Sequence, residues 1–474
     1  MTLTKNKFIG DRAFYRRVLA ISLPMIIQNG VTNLVSLLDN IMVGTVSTEA
    51  MSGVSIINQF VFVFNLLIFG AVSAAGLFTA QYHGMGDEKG VRYTFRFKLI
   101  MNLSAAVLAT VFFAVFADGL INSFLHESQS EANLELTRII GKEYLTIMLV
   151  GLVPYAISQV YASTMRETGD TTTPMVASTT AVFTNLVLNY ILIFGHFGLP
   201  ALGASGAAIA TVISRFAELA ILTVKAHIKT DIYAFARGAF KGFYIPKDLM
   251  IKTAIKGTPI MLNELLWAAA ITARNSCYAT RGLDVVAALN ISTTICNLFN
   301  VVYMSIGASI AIIVGNLLGA GKTDEARDTA RKTMVFSIFS SVLMALILSS
   351  ISTVFPMIYN TSDEVRHIAT FAIIITAVMT PFYACAHSAY FTIRSGGKVM
   401  ITVLFDSVFV WTISYPIAAA LSYLTDINIF ILFPICQGVE IIKAALGLIF
   451  LKKVNWANRI VESTDQTLDV SVNN

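Results

Sequence analysis

The stretch HGMGDEKGVRYTFR (83–96) reappears in altered form as LGAGKTDEARDTAR (318–331), with a Gly-x-Gly turn and two arginines at matching positions. Both stretches overlap the ends of longer segments, 24–92 and 259–327, which align without a gap at a constant offset of 235 residues. Any two membrane helices resemble each other in composition, but a loop pattern shared at one register indicates duplication. We therefore predict an internal repeat, which in a chain with many membrane spans is typical of transporters.

The composition excludes an ordinary soluble protein. The chain is 56% hydrophobic and 13% charged, whereas soluble domains carry about 25% charged residues. Its net charge of +5 comes from basic residues in short loops between apolar stretches, which fits membrane topology better than nucleic-acid binding. The four cysteines lie in apolar stretches without the spacing of metal ligands or of a disulfide framework; they are Cys277, Cys296, Cys385 and Cys436.

Apolar segments long enough to cross a bilayer, which takes about 20 residues, occur twelve times in the chain. Because each half then holds an even number of spans, the two repeats run through the membrane in the same direction. The sequence predicts an all-α integral membrane protein with twelve transmembrane helices in two six-helix bundles related by a parallel internal repeat. The predicted spans are 18–44, 52–82, 99–117, 140–164, 174–195, 203–227, 250–279, 286–317, 333–356, 367–393, 400–423 and 427–451.

Basic residues distinguish the two sides of the membrane. The start of the chain and the loops after spans two, six and eight are rich in lysine and arginine, including Arg96, Lys98 and Lys332. Such segments remain in the cytoplasm, so both termini are predicted to be cytoplasmic. The predicted domains are a cytoplasmic N-terminus (1–17), an N-lobe with spans one to six (18–228), a cytoplasmic inter-lobe linker (229–249), a C-lobe with spans seven to twelve (250–454) and a disordered cytoplasmic tail (455–474).

Two acidic residues within the spans are the main candidates for chemistry, because burying a charge in hydrocarbon is costly. Asp39 in span one and Glu264 in span seven have no cation one turn away on their own helices. Each needs a partner, a bound cation such as Na⁺, or a proton, which a desolvated carboxylate exchanges near neutral pH. A structural role as polar contacts between helices is the alternative. Amide oxygens for a hard-cation site are available from Asn33, Asn40, Asn185, Asn189 and Asn263.

The other ionisable residues of the spans favour structural roles. Arg215 and Glu218 are three residues apart, as are Glu440 and Lys443, so each pair shares a helix face and is expected to form an ion pair.

Two further residues have both a structural and a functional interpretation. Asp406 lies early in span eleven, where we expect it to reach interfacial water. His387 lies in the middle of span ten, where a hydrogen-bonded core residue is the common case and proton coupling is the alternative.

Sequence signals of an enzyme are absent. There is no Gly-x-x-x-x-Gly-Lys-Ser/Thr phosphate loop, no His-Glu-x-x-His, and no Gly-x-Ser-x-Gly with suitable partners. We therefore expect neither catalysis nor ATP-driven transport, and no cofactor.

Two stretches resemble the MATE (multidrug and toxic compound extrusion) transporters, most closely their bacterial multidrug branch. One is PMIIQNGVTNLVSLLDNIMVG (24–44). The other, RETGDTTTPMVASTTAVFTNLVLNYILIFGHFGLPALGASGAAIATVISR (166–215), holds the R-x-T-G-D-T-x-x-P turn, the paired asparagines and the glycine-rich run beginning at Gly195. The resemblance extends over nearly the whole chain.

The resemblance implies two six-helix bundles that face each other across a central cleft. It implies antiport at the cell membrane, in which H⁺ or Na⁺ enters as a small organic, often cationic, drug leaves. The family's acidic coupling residues of spans one and seven fall on Asp39 and Glu264, with Asn185 and Asn189 as neighbours of Asp39. Some members have aspartate where Asn189 stands, so the composition of the first-lobe site stays open. Because the chain carries both Asp39 and Glu264, the choice between Na⁺ and H⁺ stays open as well. A monomer is expected to suffice.

Two other functions fit the sequence less well than drug efflux. A flippase for a lipid-linked precursor would move an anionic substrate and would need several cations, for which only Arg215, Arg274 and Lys443 are candidates. A channel or a receptor is disfavoured, because neither a symmetric filter nor a sizeable soluble domain is found.

Overall fold

The computed structural model describes residues 7–124 and 131–464. Within them the chain forms helices and connecting turns, without a strand. Apolar helices are the expected result, because a helix satisfies its own backbone groups where no water is present. The helices are α1 (Arg12–Gly44), α2 (Thr48–Met85), α3 (Glu88–Asn122), α4 (Glu131–Val150), α5 (Leu152–Glu167), α6 (Thr172–Phe194), α7 (Gly203–Ile228), α8 (Lys247–Ala279), α9 (Leu283–Gly319), α10 (Thr323–Ile351), α11 (Asp363–Ser395), α12 (Val399–Val403), α13 (Tyr415–Tyr423) and α14 (Ile429–Lys453).

The helices confirm the predicted all-α membrane fold. Ten helical segments of the described residues are long and apolar enough to cross a membrane, and α4 with α5, bent by 45°, makes an eleventh. Helix α8 matches the predicted seventh span in position, but Lys252, Lys256, Glu264 and Arg274 lower its apolar character. Between α12 and α13 the backbone is π-helical, a feature that is frequent at functional sites.

The chain divides into two compact units. The first-half unit contains residues 27–79 and 88–257, and the second-half unit contains residues 7–26, 80–87 and 258–464 of the described chain. The predicted lobe boundaries stay a prediction.

The first-half unit is organised around the packing of α6 on α7 and of α3 on α5. Its core includes the fully buried Ile57, Ile68 and Ala208. At Gly206 on α7, a Cβ atom would lie 2.7 Å from the backbone of Leu192 on α6. Glycine therefore allows the close approach of these two helices, a common device in membrane proteins.

The repeated Gly-x-Gly turns meet in the second-half unit. A side chain at Gly84 would overlap the backbone of Asn316, and one at Gly319 would overlap the backbone of Gln81. Since Gln81 and Asn316 occupy equivalent repeat positions, the two contacts are reciprocal. The second glycine of each turn has a positive φ, 80° at position 86 and 75° at position 321, which favours glycine at a helix end.

The tail prediction is wrong for residues 455–464. Trp456 and Val461 are buried, and Gln81 Oε1 accepts from the Ile460 N–H at 2.7 Å. Asp87 accepts hydrogen bonds from Thr464. These long-range polar contacts order a segment whose sequence has no helical periodicity. Residues 465–474, the rest of the predicted tail, lie outside the described part, as do residues 1–6 of the predicted N-terminus.

Three of the basic residues used to assign the cytoplasmic side do not lie in solvent. Lys332 is buried and forms an ion pair with Asp328. Lys98 is fully buried and forms an ion pair with Glu167. Arg96 is buried and donates to the carbonyl groups of Gly238 and Ala239, both at 2.8 Å. The Arg96 contacts also give the predicted inter-lobe linker a defined packing on α3.

Candidate functional site

In the first-half unit, Asp39 of α1 is held by amide groups of α6. Asn189 Nδ2 donates to Asp39 Oδ1 at 2.7 Å and lies 3.2 Å from Asn185 Oδ1. Residues 185 and 189 are one helical turn apart and so share a face, and both are buried. Thr211 of α7 completes the group, because its Oγ1 lies 3.2 Å from Asn185 Nδ2. The structure therefore brings two of the predicted amides to Asp39.

The oxygen atoms of this group suit a proton or a small hard cation. Asn189 Oδ1 is buried without a hydrogen-bond partner. With the Asn185 amide rotated, its nitrogen lies 2.9 and 3.2 Å from the two Asp39 oxygens. A buried acceptor without a donor costs about 1–3 kcal/mol, which a bound cation would recover. Carboxylate, amide and hydroxyl oxygens are the ligands that hard cations prefer.

No basic side chain neutralises Asp39 among the described residues. The nearest candidate along α7 is Arg215, one turn after Thr211, but its guanidinium lies over the Tyr155 ring at 5.1 Å. The predicted ion pair between Arg215 and Glu218 is not formed, and Arg215 Nη1 is buried without a hydrogen bond. The Arg215 side chain instead packs against Gly151 and Tyr155.

Two other predicted neighbours of Asp39, Asn33 and Asn40, are not among the contacts that the structure describes for it. Asn33 is exposed on α1 and has no hydrogen bond to Asp39. The side chain of Asn40 lies outside the described part of the structure. Thr211 was missed, because threonines are frequent in this sequence, and only the packing of α6 on α7 selects this one.

In the second-half unit, Glu264 of α8 has a basic partner. Arg394 Nη1 of α11 lies 3.6 Å from Glu264 Oε1, and it donates to Tyr390 Oη at 3.1 Å. The Tyr390 hydroxyl lies 3.5 Å from Glu264 Oε1. Of the alternatives that the sequence leaves open, Glu264 thus has a protein partner, which comes from a different helix and lies one residue beyond the predicted tenth span.

Asp406 also has a basic partner and does not simply reach interfacial water. Lys443 Nζ of α14 donates to Asp406 Oδ1 at 2.6 Å, and Asn263 Nδ2 donates to Asp406 Oδ2 at 2.9 Å. The predicted ion pair between Lys443 and Glu440 is not formed. Lys443 pairs with Asp406 instead, and Glu440 Oε1 lies 3.7 Å from Arg274 Nη1. The π-helical turn that contains Asp406 determines which way this carboxylate faces.

The predicted amide Asn263 connects the two ion pairs. Besides Asp406, its Nδ2 lies 3.4 Å from Tyr390 Oη, and its Oδ1 accepts from Ser407 Oγ at 2.7 Å. Glu264, Arg394, Asp406, Lys443, Asn263 and Tyr390 form what we call the second-half charge cluster.

His387 lies beside this cluster without a hydrogen bond to its charged groups. Its ring packs edge-on against Phe391 at 4.9 Å and Tyr303 at 5.7 Å. A role in proton coupling stays a prediction.

The described residues contain no group of three or more His, Cys, Asp or Glu side chains that could hold a metal ion. The neighbours that the structure gives Asp39 are the amides of Asn185 and Asn189.

Comparisons with known proteins agree with the fold and the repeat. The chain is similar to a probable multidrug resistance protein NorM of Thermotoga maritima, with 24% identity over 96% of each chain. A NorM protein of Bacillus licheniformis is 26% identical over 73% of this chain and 74% of its own length. The solved structure of the Vibrio cholerae MATE transporter VcmN superimposes with a TM-score of 0.84 at 17% identity, covering 94% of this chain and 98% of that one.

The model of the MatE family matches residues 24–191 and 259–424. The two matches begin 235 residues apart, the same offset that the sequence repeat shows, and together they cover more than half of the chain. The chain therefore belongs to the MatE family.

Proposed function

We propose that this chain is a secondary active transporter, not an enzyme, that exports small organic, often cationic, compounds in exchange for H⁺ or Na⁺. Family membership and the multidrug resistance relatives support export of drugs. The observation that carries the exchange is Asp39, a half-buried carboxylate whose partners among the described residues are neutral groups. We place the protein in the plasma membrane as a monomer with both termini in the cytoplasm.

The mechanism requires competition for one negative charge. When Asp39 is charged, it attracts an organic cation, and Asn189 stabilises this state by donating at 2.7 Å. A proton or Na⁺ on Asp39 cancels the charge and weakens that attraction, so the organic cation is released. Exposure of the site to alternate sides of the membrane then couples the two movements, because each ligand lowers the affinity for the other.

The test is dye movement in proteoliposomes that contain the purified protein and a fluorescent organic cation, with a Na⁺ gradient or a pH gradient imposed separately. We expect one gradient to drive dye transport in the parent protein and the Asp39→Asn variant to lose it. Asp118→Asn is the matched control, because this exposed carboxylate of α3 pairs with Lys142 at the surface and has no contact with the site.

Three results would contradict the proposal. Neither gradient drives the dye in the parent, Asp39→Asn transports like Asp118→Asn, or a labelled anionic lipid precursor crosses while the dye does not. The last result would favour a flippase, which the contacts disfavour because Arg274 and Lys443 are engaged by carboxylates.

A further inference from the structure

We infer that Arg394 and Lys443 are resident cations of the second-half charge cluster, so that this cluster takes no coupling ion and exchange is coupled through Asp39 alone. This inference rests on the proposed function and narrows it. Of the two acidic residues that the sequence offers for coupling, it keeps Asp39 as the coupling carboxylate and assigns Glu264 to an internally neutralised cluster.

Arg394 is held beside Glu264 by several contacts. Its side chain is 5% exposed, and its guanidinium lies 3.6 Å from Glu264. The same group lies over the rings of Tyr390, at 5.6 Å, and Phe391, at 5.7 Å. A guanidinium is charged at every accessible pH, so Glu264 always has a neighbouring positive charge in this arrangement.

Both carboxylate oxygens of Asp406 accept hydrogen bonds. Lys443 Nζ donates to one at 2.6 Å and Asn263 Nδ2 to the other at 2.9 Å. The lysine side chain is 9% exposed, and its ammonium group lies 5.7 Å from the centre of the Phe405 ring. A further cation would have to displace a hydrogen-bonded ammonium group from a buried position.

The charges of the second-half charge cluster balance. The cluster holds two carboxylates and two basic groups, and Asn263 and Tyr390 connect them by hydrogen bonds. A coupling ion entering here would meet a neutral group and repulsion from both resident cations. At Asp39 the partners are amides, and Asn189 Oδ1 has no donor, so the uncompensated negative charge is in the first-half unit.

The experiment compares single removal with charge-balanced removal. In the dye assay, Glu264→Gln leaves Arg394 without its carboxylate, and we expect at least about a tenfold loss of gradient-driven efflux. The double variant Glu264→Gln/Arg394→Met removes both charges, and we expect efflux within about threefold of the parent. Its ion dependence should equal that of the parent. No change at position 394 should rescue Asp39→Asn.

A count of bound ions gives a second measurement that does not depend on the folding of the double variant. We expect organic-cation binding to the parent in detergent to release one proton, or one ²²Na⁺, per chain, and none from Asp39→Asn. Two ions from the parent, or one remaining in Asp39→Asn, would overturn the inference, as would a folded double variant that stays as inactive as Glu264→Gln.

The two proposals fail in distinguishable ways. If the parent shows no gradient-driven dye movement, the proposed function fails. If the parent transports the dye but the double variant Glu264→Gln/Arg394→Met binds one ion fewer than the parent, only the inference about the resident cations fails.

Discussion

The Asp39 site and the second-half charge cluster lie in segments of equivalent origin but handle a buried carboxylate in opposite ways. In the first-half unit, Asp39 is held by asparagine amides, whereas Glu264 and Asp406 each face a basic side chain. In the repeat, Glu264 corresponds to Asn29, and Asp39 corresponds to Arg274. Duplication thus preserved the helices and the Gly-x-Gly turns, while the charged residues were distributed independently in the two halves.

This difference separates two energetic roles. A carboxylate with neutral partners is stabilised by whatever cation binds it, so its free energy depends on the ions outside. A carboxylate with a resident cation is already satisfied and contributes to stability and to the uniqueness of packing. The following predictions test that separation.

The largest expected effect on stability is at Lys443. Lys443→Met leaves Asp406 as a buried charge with only an amide donor, and we expect the free energy of unfolding in detergent to fall by about 3–5 kcal/mol. Replacing both partners, Asp406→Asn/Lys443→Met, should recover most of this loss. Denaturant titration followed by tryptophan fluorescence measures both. A Lys443→Met variant as stable as the parent would show that the pair does not stabilise the cluster.

An intermediate effect is expected at Asn189, and it should appear in binding more than in stability. Asn189→Ala removes the 2.7 Å donor to Asp39. Because a hydrogen bond to a charged group contributes about 1.5–3 kcal/mol, we expect affinity for an organic cation to fall at least about tenfold, measured by fluorescence titration. The matched control is Asn122→Ala, at the exposed end of α3. Equal affinities of the two variants would remove Asn189 from the site.

The smallest effect is expected at a carboxylate outside the spans, Asp170 in the turn between α5 and α6. Burial alone would raise the pKa of Asp170, but hydrogen bonds from Thr173 and Tyr233 and the charge of Lys225 lower it below its ordinary value of 3.8. The Tyr233 hydroxyl is a donor here, because burial and Asp170 raise the pKa of Tyr233 to about 12. Asp170 therefore stabilises the fold in its charged form.

The sign of the pH dependence follows from the lowered pKa. The contribution of Asp170 is fully present above its unfolded pKa and is lost as the pH falls through its folded pKa. We expect Asp170→Asn to cost about 1 kcal/mol at neutral pH and to flatten the loss of stability below about pH 4. Thermal unfolding at a series of pH values measures this. A variant with the same acid dependence as the parent would contradict it.

Much of the fold follows from local sequence. Apolar runs of about 20 residues predict helices because nothing else satisfies a backbone in hydrocarbon, and the register of the Gly-x-Gly turns predicts the repeat. Composition alone gives weak support for helix α8 as a membrane span, because the helix contains several charged residues. Charged residues within a span are also candidates for a functional site. The packed segment 455–464 could not be predicted, because its order depends on Gln81 and Asp87, more than 370 residues away.

The candidate site was only partly predictable for the same reason. Residues one turn apart on a single helix, such as Asn185 and Asn189, are readable as a pair, and Asp39 stands out as an acid in an apolar span. The contacts of Arg394 with Glu264 and of Thr211 with Asn185 cannot be predicted, because nothing in the local sequence links these residues.

Composition, helical period and repeat register are enough to predict the membrane class, the helical architecture, the duplication and the two acidic residues on which the functional hypothesis depends. These properties are local or repeat at a fixed offset. The contacts of Asp39 with amides, and of Glu264 and Asp406 with basic groups, become visible only in the folded chain. Charge compensation acts over a few ångströms in space, and folding brings those atoms together from helices far apart in sequence.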